Sequence, residues 1–140
     1  MKYIIMLYAS QQDYDLMVGN PTDRPAWDPE AVAKMHAFME EWNGELIESG
    51  EFVDGQGLAA PAHTRRIRGG RDGALVVTDG PYPETQEVLA GYTIVECDSF
   101  DRATEIAARV AECPSPSGEL TGSEYIDVRP LASYQADLEI

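Results

Sequence analysis

The run Tyr3-Ile4-Ile5-Met6-Leu7-Tyr8 decides the fold. Tyr3, Ile5 and Leu7 form one alternating set and Ile4, Met6 and Tyr8 the other, and both sets are apolar. A strand with one wet face alternates apolar and polar residues, so this one is predicted to be buried on both sides. Helices of the same chain can cover one side. The chain offers few further helices for the other, so a second copy of the sheet is the simplest cover and a homodimer is expected.

Downstream, residues 10–28 are polar and broken by Gly19, Pro21 and Pro25, which predicts a long loop with at most one turn around Asp13 to Val18. Asp28-Pro29-Glu30 then signals a helix start: aspartate caps, proline fits the first turn, and glutamate suits the positive end. Val32, Met35, Met39, Trp42 and Leu46 recur at helical spacing, with Glu41, Glu45 and Glu48 off that stripe. Gly50 ends the helix, and Gly44 inside it is expected to mark close packing. Glu51 to Gly57 reads as a strand.

Thr64 to Arg68 and Ala74 to Thr78 read as two strands joined by Gly69-Gly70-Arg71-Asp72-Gly73, a hairpin turn. The second of these, Ala74-Leu75-Val76-Val77-Thr78, has the pattern of a core strand. Gly91 to Cys97 is a further core strand. Asp98 or Ser99 caps a second helix with Phe100, Ala103, Ile106, Ala107 and Val110 on one face, stopped by Pro114 and Pro116. Glu124 to Arg129 is the last strand, closed by Pro130. With the 64–78 hairpin set aside, the order is strand, helix, strand, strand, helix, strand. That is the ferredoxin-like split βαβ plan, an α+β fold with helices on one face of an antiparallel sheet. Residues 1–130 are expected to form one domain and residues 131–140 a tail.

The chain has 140 residues, 44% of them apolar, which suits a single domain that buries roughly two-thirds of its unfolded surface. No apolar run approaches the about 20 residues a bilayer requires. The start of the chain lacks the pattern of a signal peptide, and a cytoplasmic location is expected. A net charge of -15 repels phosphate backbones and argues against nucleic acid as a partner. Four of the ten basic residues gather at Arg65, Arg66, Arg68 and Arg71. They fit either the charged face of an exposed hairpin or a patch for an anion. Cys97 and Cys113 belong to no Cys-x-x-Cys pair, so neither zinc nor a redox motif is indicated and both are expected to pack as small apolar residues. No cofactor is expected.

The stretch with most chemical content is Asp79-Gly80-Pro81-Tyr82-Pro83-Glu84-Thr85-Gln86-Glu87. A carboxylate opens it, glycine relaxes it, and two prolines stiffen it. Asp79 could act as a general base or could close an Asx turn on the following amides. Glu84 could join it in a two-carboxylate site or cap the turn at Thr85. Tyr82, Tyr8, Trp42 and Tyr92 could line a pocket, though core packing explains them as well. His36 could move a proton near neutral pH or could be merely solvated. His63, in a loop beside the arginines, is a weaker candidate.

With that motif and element order in hand, the chain resembles the YCII-related superfamily, specifically its DGPF branch, whose consensus is close to Asp-Gly-Pro-Phe-Ala-Glu-Thr-Lys-Glu followed by a glycine-aromatic strand. This sequence departs from it at Tyr82, Pro83 and Gln86 and continues with Gly91-Tyr92. Lys2 to Tyr8, Glu45-Leu46 to Gly50, Gly57-Leu58 to Pro61, and Val128-Arg129-Pro130 match as well. The resemblance implies a ferredoxin-like dimeric α/β barrel. It also implies a His–Asp acid/base pair in a cleft, and kinship with cofactor-independent isomerases and lyases. Asp79 matches the family aspartate. The superfamily histidine falls near Met39, three residues beyond His36. A non-catalytic dimeric binding or accessory module is the alternative the resemblance implies, since members of the branch are often encoded beside, or fused to, extracytoplasmic-function sigma factors.

Overall fold

A computed structural model describes residues 1–20, 22–115 and 125–132. Its elements are β1 (Lys2–Ala9), α1 (Gln11–Met17), α2 (Pro29–Ser49), β2 (Phe52–Gly57), β3 (Arg65–Gly69), β4 (Leu75–Asp79), β5 (Val88–Glu96), α3 (Phe100–Ala108) and β6 (Asp127–Pro130). Short 3-10 turns at Pro61–His63 and Arg109–Glu112 complete the set. The protein is α+β. Four strands form an antiparallel sheet in the order β2-β5-β1-β6, compatible with the ferredoxin-like plan.

The all-apolar β1 takes an inner place. It pairs with β5 from Lys2↔Glu96 to Ala9↔Val88, and with β6 from Tyr3↔Pro130 to Met6↔Asp127. Its two sets separate as strand geometry requires. Tyr3 and Ile5 join Val95 beneath Trp42 and Leu46 of α2 and Ala103, Ile106 and Ala107 of α3 in the core. Ile4, Met6 and Tyr8 are half-buried and stand outside that core. On one side Tyr3 and Ile5 are therefore buried within a single chain while Leu7 is half-buried, and the other side is partly covered.

Helix α2 begins and ends where its signals stand. The Asp28 side chain accepts from the Glu30 amide, Pro29 opens the first turn, and Gly50 closes the helix in the left-handed region at φ 81°. Its apolar stripe divides. Trp42 and Leu46 enter the core, whereas Met35 and Met39 are only half-buried. Gly44 does not mark close packing, because a Cβ there would meet nothing within 4 Å. Helix α3 is capped by Ser99, whose side chain accepts from the Arg102 amide. Phe100 remains 45% exposed although its ring lies 5.3 Å from that of Tyr3.

Two expectations are corrected. Residues 10–28 are not a continuous loop, since Gln11–Met17 is helical. Ser10 and Asp13 form a capping box, each side chain accepting from the other's amide, and Leu16 anchors the helix in the interior. Second, Leu75–Asp79 is not a core strand. It pairs with β3 in a separate two-stranded sheet whose residues are all exposed. The four places of the main sheet are filled by β1, β2, β5 and β6, so the hairpin is an excursion from it. The last strand starts at Asp127, and Pro116, Glu124 and most of the 131–140 tail lie outside the described residues. No helix among those described is long and apolar enough to cross a membrane.

Candidate functional site

The half-buried end of the α2 stripe opens on a cleft of about 810 Å³. Met35, His36 and Met39 of α2 form one wall, Tyr14 and Met17 of α1 another, and Phe52 and Gly55 of β2 with Thr93 of β5 contribute the sheet side. Each element is placed by a local feature already described. The stripe of α2 puts Met35 and Met39 on the same side as the core residues Trp42 and Leu46. The capping box starts α1 directly after β1 and so brings Tyr14 to the rim.

The sheet is irregular here. Leu7 pairs with Gly91 but Tyr8 with Leu89, which leaves Ala90 as an extra residue. The Ala90 carbonyl accepts from the Leu58 amide at 2.8 Å and lies 3.3 Å from the Tyr14 hydroxyl. That hydroxyl also donates to the Leu58 carbonyl at 2.8 Å. Gly91 beside the bulge permits close strand approach: a Cβ there would stand 3.2 Å from the Gln56 carbonyl oxygen.

Four tyrosines contribute to the lining, Tyr8, Tyr14, Tyr92 and Tyr125, and three of them have phenols held more firmly neutral than usual. Burial pushes the Tyr14 hydroxyl above its ordinary pKa. Burial, then the hydrogen bond to Asp54 Oδ2 at 3.2 Å, does the same for Tyr92. The Tyr8 hydroxyl donates to Asp127 Oδ2 at 2.6 Å, and chiefly through that bond its pKa is pushed up to about 12. At neutral pH these groups exchange hydrogen bonds rather than protons. Cys113 also borders the cleft, and burial pushes its thiol up, so it stands as a neutral thiol rather than a nucleophilic thiolate. His36 is the imidazole in this lining among the described residues. The site thus combines a wide apolar wall, neutral hydroxyls and one imidazole.

The profile of the YCII-related domain matches residues 1–125. The chain belongs to the YCII-related family. An uncharacterized protein of Rhizobium meliloti (strain 1021) is similar to it, 30% identical over 110 residues, or 79% of this chain and 83% of the relative.

In this YCII-related chain the residues singled out from the sequence fall into two groups. His36, Tyr8 and Tyr92 border the cleft. Asp79, Tyr82 and Glu84 do not; they stand at and after the foot of the hairpin. Asp79 Oδ1 lies 2.8 Å from Arg65 Nε, with the side chain 73% exposed. The amide that follows it, Gly80 N, donates to the Thr64 carbonyl at 2.8 Å, and Pro81, two residues on, has no N–H for an Asx turn, so the carboxylate meets a guanidinium instead. The Arg66 guanidinium stacks over the Tyr82 ring at 5.1 Å. Glu84 is exposed, and its carbonyl accepts from the Gln12 amide at 3.0 Å.

Trp42 does not border this cleft: it is 1% exposed in the core, and its Nε1 donates to the Ile106 carbonyl at 3.0 Å. Cys97 is buried and Cys113 half-buried, both as free thiols. His63 is exposed in the Pro61–His63 turn. Tyr14 is one of the lining residues that the sequence did not single out. Its signal was Ser10-x-x-Asp13, a capping pattern that announces α1.

Proposed function

We propose that this protein is a homodimer whose cleft binds a small oxygenated molecule with an apolar body. It moves a proton on that molecule without a cofactor, in an isomerase- or lyase-like reaction. The observation that carries this reading is that His36, although exposed, borders the same cleft as Met35, Met39 and Tyr14. His36 supplies or takes the proton, and the Tyr14 oxygen, its own proton given to the Leu58 carbonyl, accepts from a substrate hydroxyl. Asp79, paired with Arg65 at the surface, leaves His36 as the group on which proton transfer rests.

The dimer half of the proposal rests on the second apolar set of β1. Ile4, Met6 and Tyr8, with Tyr92 and Ile94 of β5, are half-buried and outside the core cluster. A facing sheet from a second copy would cover them and give the dimeric barrel of the DGPF branch.

The test is a panel of small carboxylic acids and lactones, followed by the His36 imidazole resonances and by turnover. The expected result is a ligand that shifts those resonances. Turnover of any substrate found should fall about 100-fold or more in His36→Ala. Full turnover in that variant would sink the reading.

A second reading, a non-catalytic binding or accessory module, is favoured by the Asp79–Arg65 ion pair, because it places the motif's carboxylate on an arginine rather than an imidazole. The -15 charge suits a basic protein partner such as a sigma factor region. Binding of such a partner with affinity unchanged by His36→Ala, and no turnover across the panel, would select this reading.

A further inference from the structure

The β3–β4 hairpin has no counterpart in the four-stranded plan, and its two faces differ. Ile67 sits opposite Val77 and Gly69 opposite Leu75, so Ile67, Leu75 and Val77 share one face. Arg66 opposite Thr78 and Arg68 opposite Val76 share the other. The three apolar side chains are 64%, 69% and 55% exposed. The strands pack on each other and make no more than glancing contact with any other element. A lone two-stranded ribbon is marginally stable in water, so a covering surface is the natural completion of this one.

The root of the hairpin is firm. Arg65 pairs with Asp79 and Gly80 N donates to Thr64 O. Pro61 is buried, and the Ala62 amide donates to Gln11 Oε1 of α1 at 2.8 Å. The ribbon is therefore held out from a fixed base with its apolar face uncovered.

Charge identifies what covers it. Residues 65–79 carry four arginines and two aspartates, a formal +2. Subtracting this from the chain's -15 leaves -17 on the rest of the molecule. The surface to which a basic, apolar ribbon is complementary is the acidic body of this same protein. We propose that the β3–β4 hairpin is an arm that lies on a second copy of the chain. Ile67, Leu75 and Val77 pack on its apolar surface, and Arg66 and Arg68, on the outer face of the ribbon, lie within screening range of the carboxylates around that surface. The arm is distinct from the sheet-to-sheet contact proposed above, although it rests on that dimer reading. It gives two strongly acidic bodies a local attraction where their net charges repel.

The test uses the full chain in sedimentation equilibrium, with hydrogen exchange on the hairpin amides. Wild type should dimerise, and protection of amides 65–79 should rise with protein concentration. The double variant Ile67→Asp, Val77→Asp should weaken dimerisation about tenfold or more. Arg66→Glu with Arg68→Glu should also weaken it, and its gap to wild type should close as salt rises. Met6→Asp, on the sheet face, separates the two contacts. Dimerisation lost in Met6→Asp but unchanged in both hairpin variants overturns the arm and leaves the sheet contact standing. A monomeric wild type, or hairpin amides that exchange freely in a dimer, overturns the arm outright. If a hairpin variant does not fold, exchange in the wild type decides.

Discussion

Tyr8 and Asp127 lie 119 positions apart in the chain, yet the Tyr8 hydroxyl meets the Asp127 carboxylate at 2.6 Å. The pair joins β1 to the short β6, and the hydroxyl takes its raised pKa of about 12 chiefly from that bond. A raised folded-state pKa adds stability that is complete below the unfolded tyrosine value of about 10 and is lost as pH rises through about 12. Ultraviolet difference titration should show a late-ionising set of tyrosines that includes Tyr8. Asp127→Ala should return Tyr8 toward about 10. A wild-type protein whose tyrosines all titrate together would refute the pairing.

Asp79→Asn should leave the melting midpoint unchanged, because the pair it breaks with Arg65 is exposed on both sides. On the His36 reading it should also leave turnover of any substrate nearly unchanged, in contrast to His36→Ala. Parallel steady-state kinetics on the two variants check this. A loss in Asp79→Asn as large as in His36→Ala would restore the aspartate to the chemistry.

Glu51 accepts a two-point grip from Arg102, Nε to Oε2 at 2.9 Å and Nη2 to Oε1 at 2.8 Å. Those hydrogen bonds lower its pKa, against the opposing effect of burial, and Ser49 adds to the lowering. A lowered folded-state pKa gives stability that is present above the unfolded value of about 4.3 and is lost as pH falls through the folded one. Glu51→Gln should therefore cost about 1 kcal/mol near neutral pH. The difference from wild type should vanish in acid. Denaturant unfolding across pH measures it, and a pH-independent difference would contradict the assignment.

Gly44 and Gly50 should respond oppositely to alanine. Gly44 is in the interior of α2 with open space around it, so Gly44→Ala should stabilise by about 0.5–1 kcal/mol. Gly50 holds φ 81° at the helix end, so Gly50→Ala should destabilise by about 1 kcal/mol. Thermal or urea unfolding of both variants checks the pair of signs.

Local chemistry carried much of the architecture. Asp28-Pro29 and Gly50 bound α2, the apolar run of Tyr3 to Tyr8 marked β1 as a core strand, and the glycine-rich turn marked the 64–78 hairpin. The Ser10-x-x-Asp13 box was legible too, although the surrounding glycine and prolines masked it. These features depend on neighbours within a few residues, which is why one sequence suffices to see them. The site did not follow from the same signals. A helical stripe does not reveal which of its turns meets the sheet, and tertiary packing sent Trp42 into the core and left Met35 and Met39 to a cleft. Nor does an apolar pentad reveal whether a sheet has room for it. The main sheet was already filled, so Leu75 to Asp79 went outward and Asp79 found Arg65, while His36 stayed with the tyrosines. Such outcomes turn on contacts between segments far apart in the chain, and only the folded arrangement decides them.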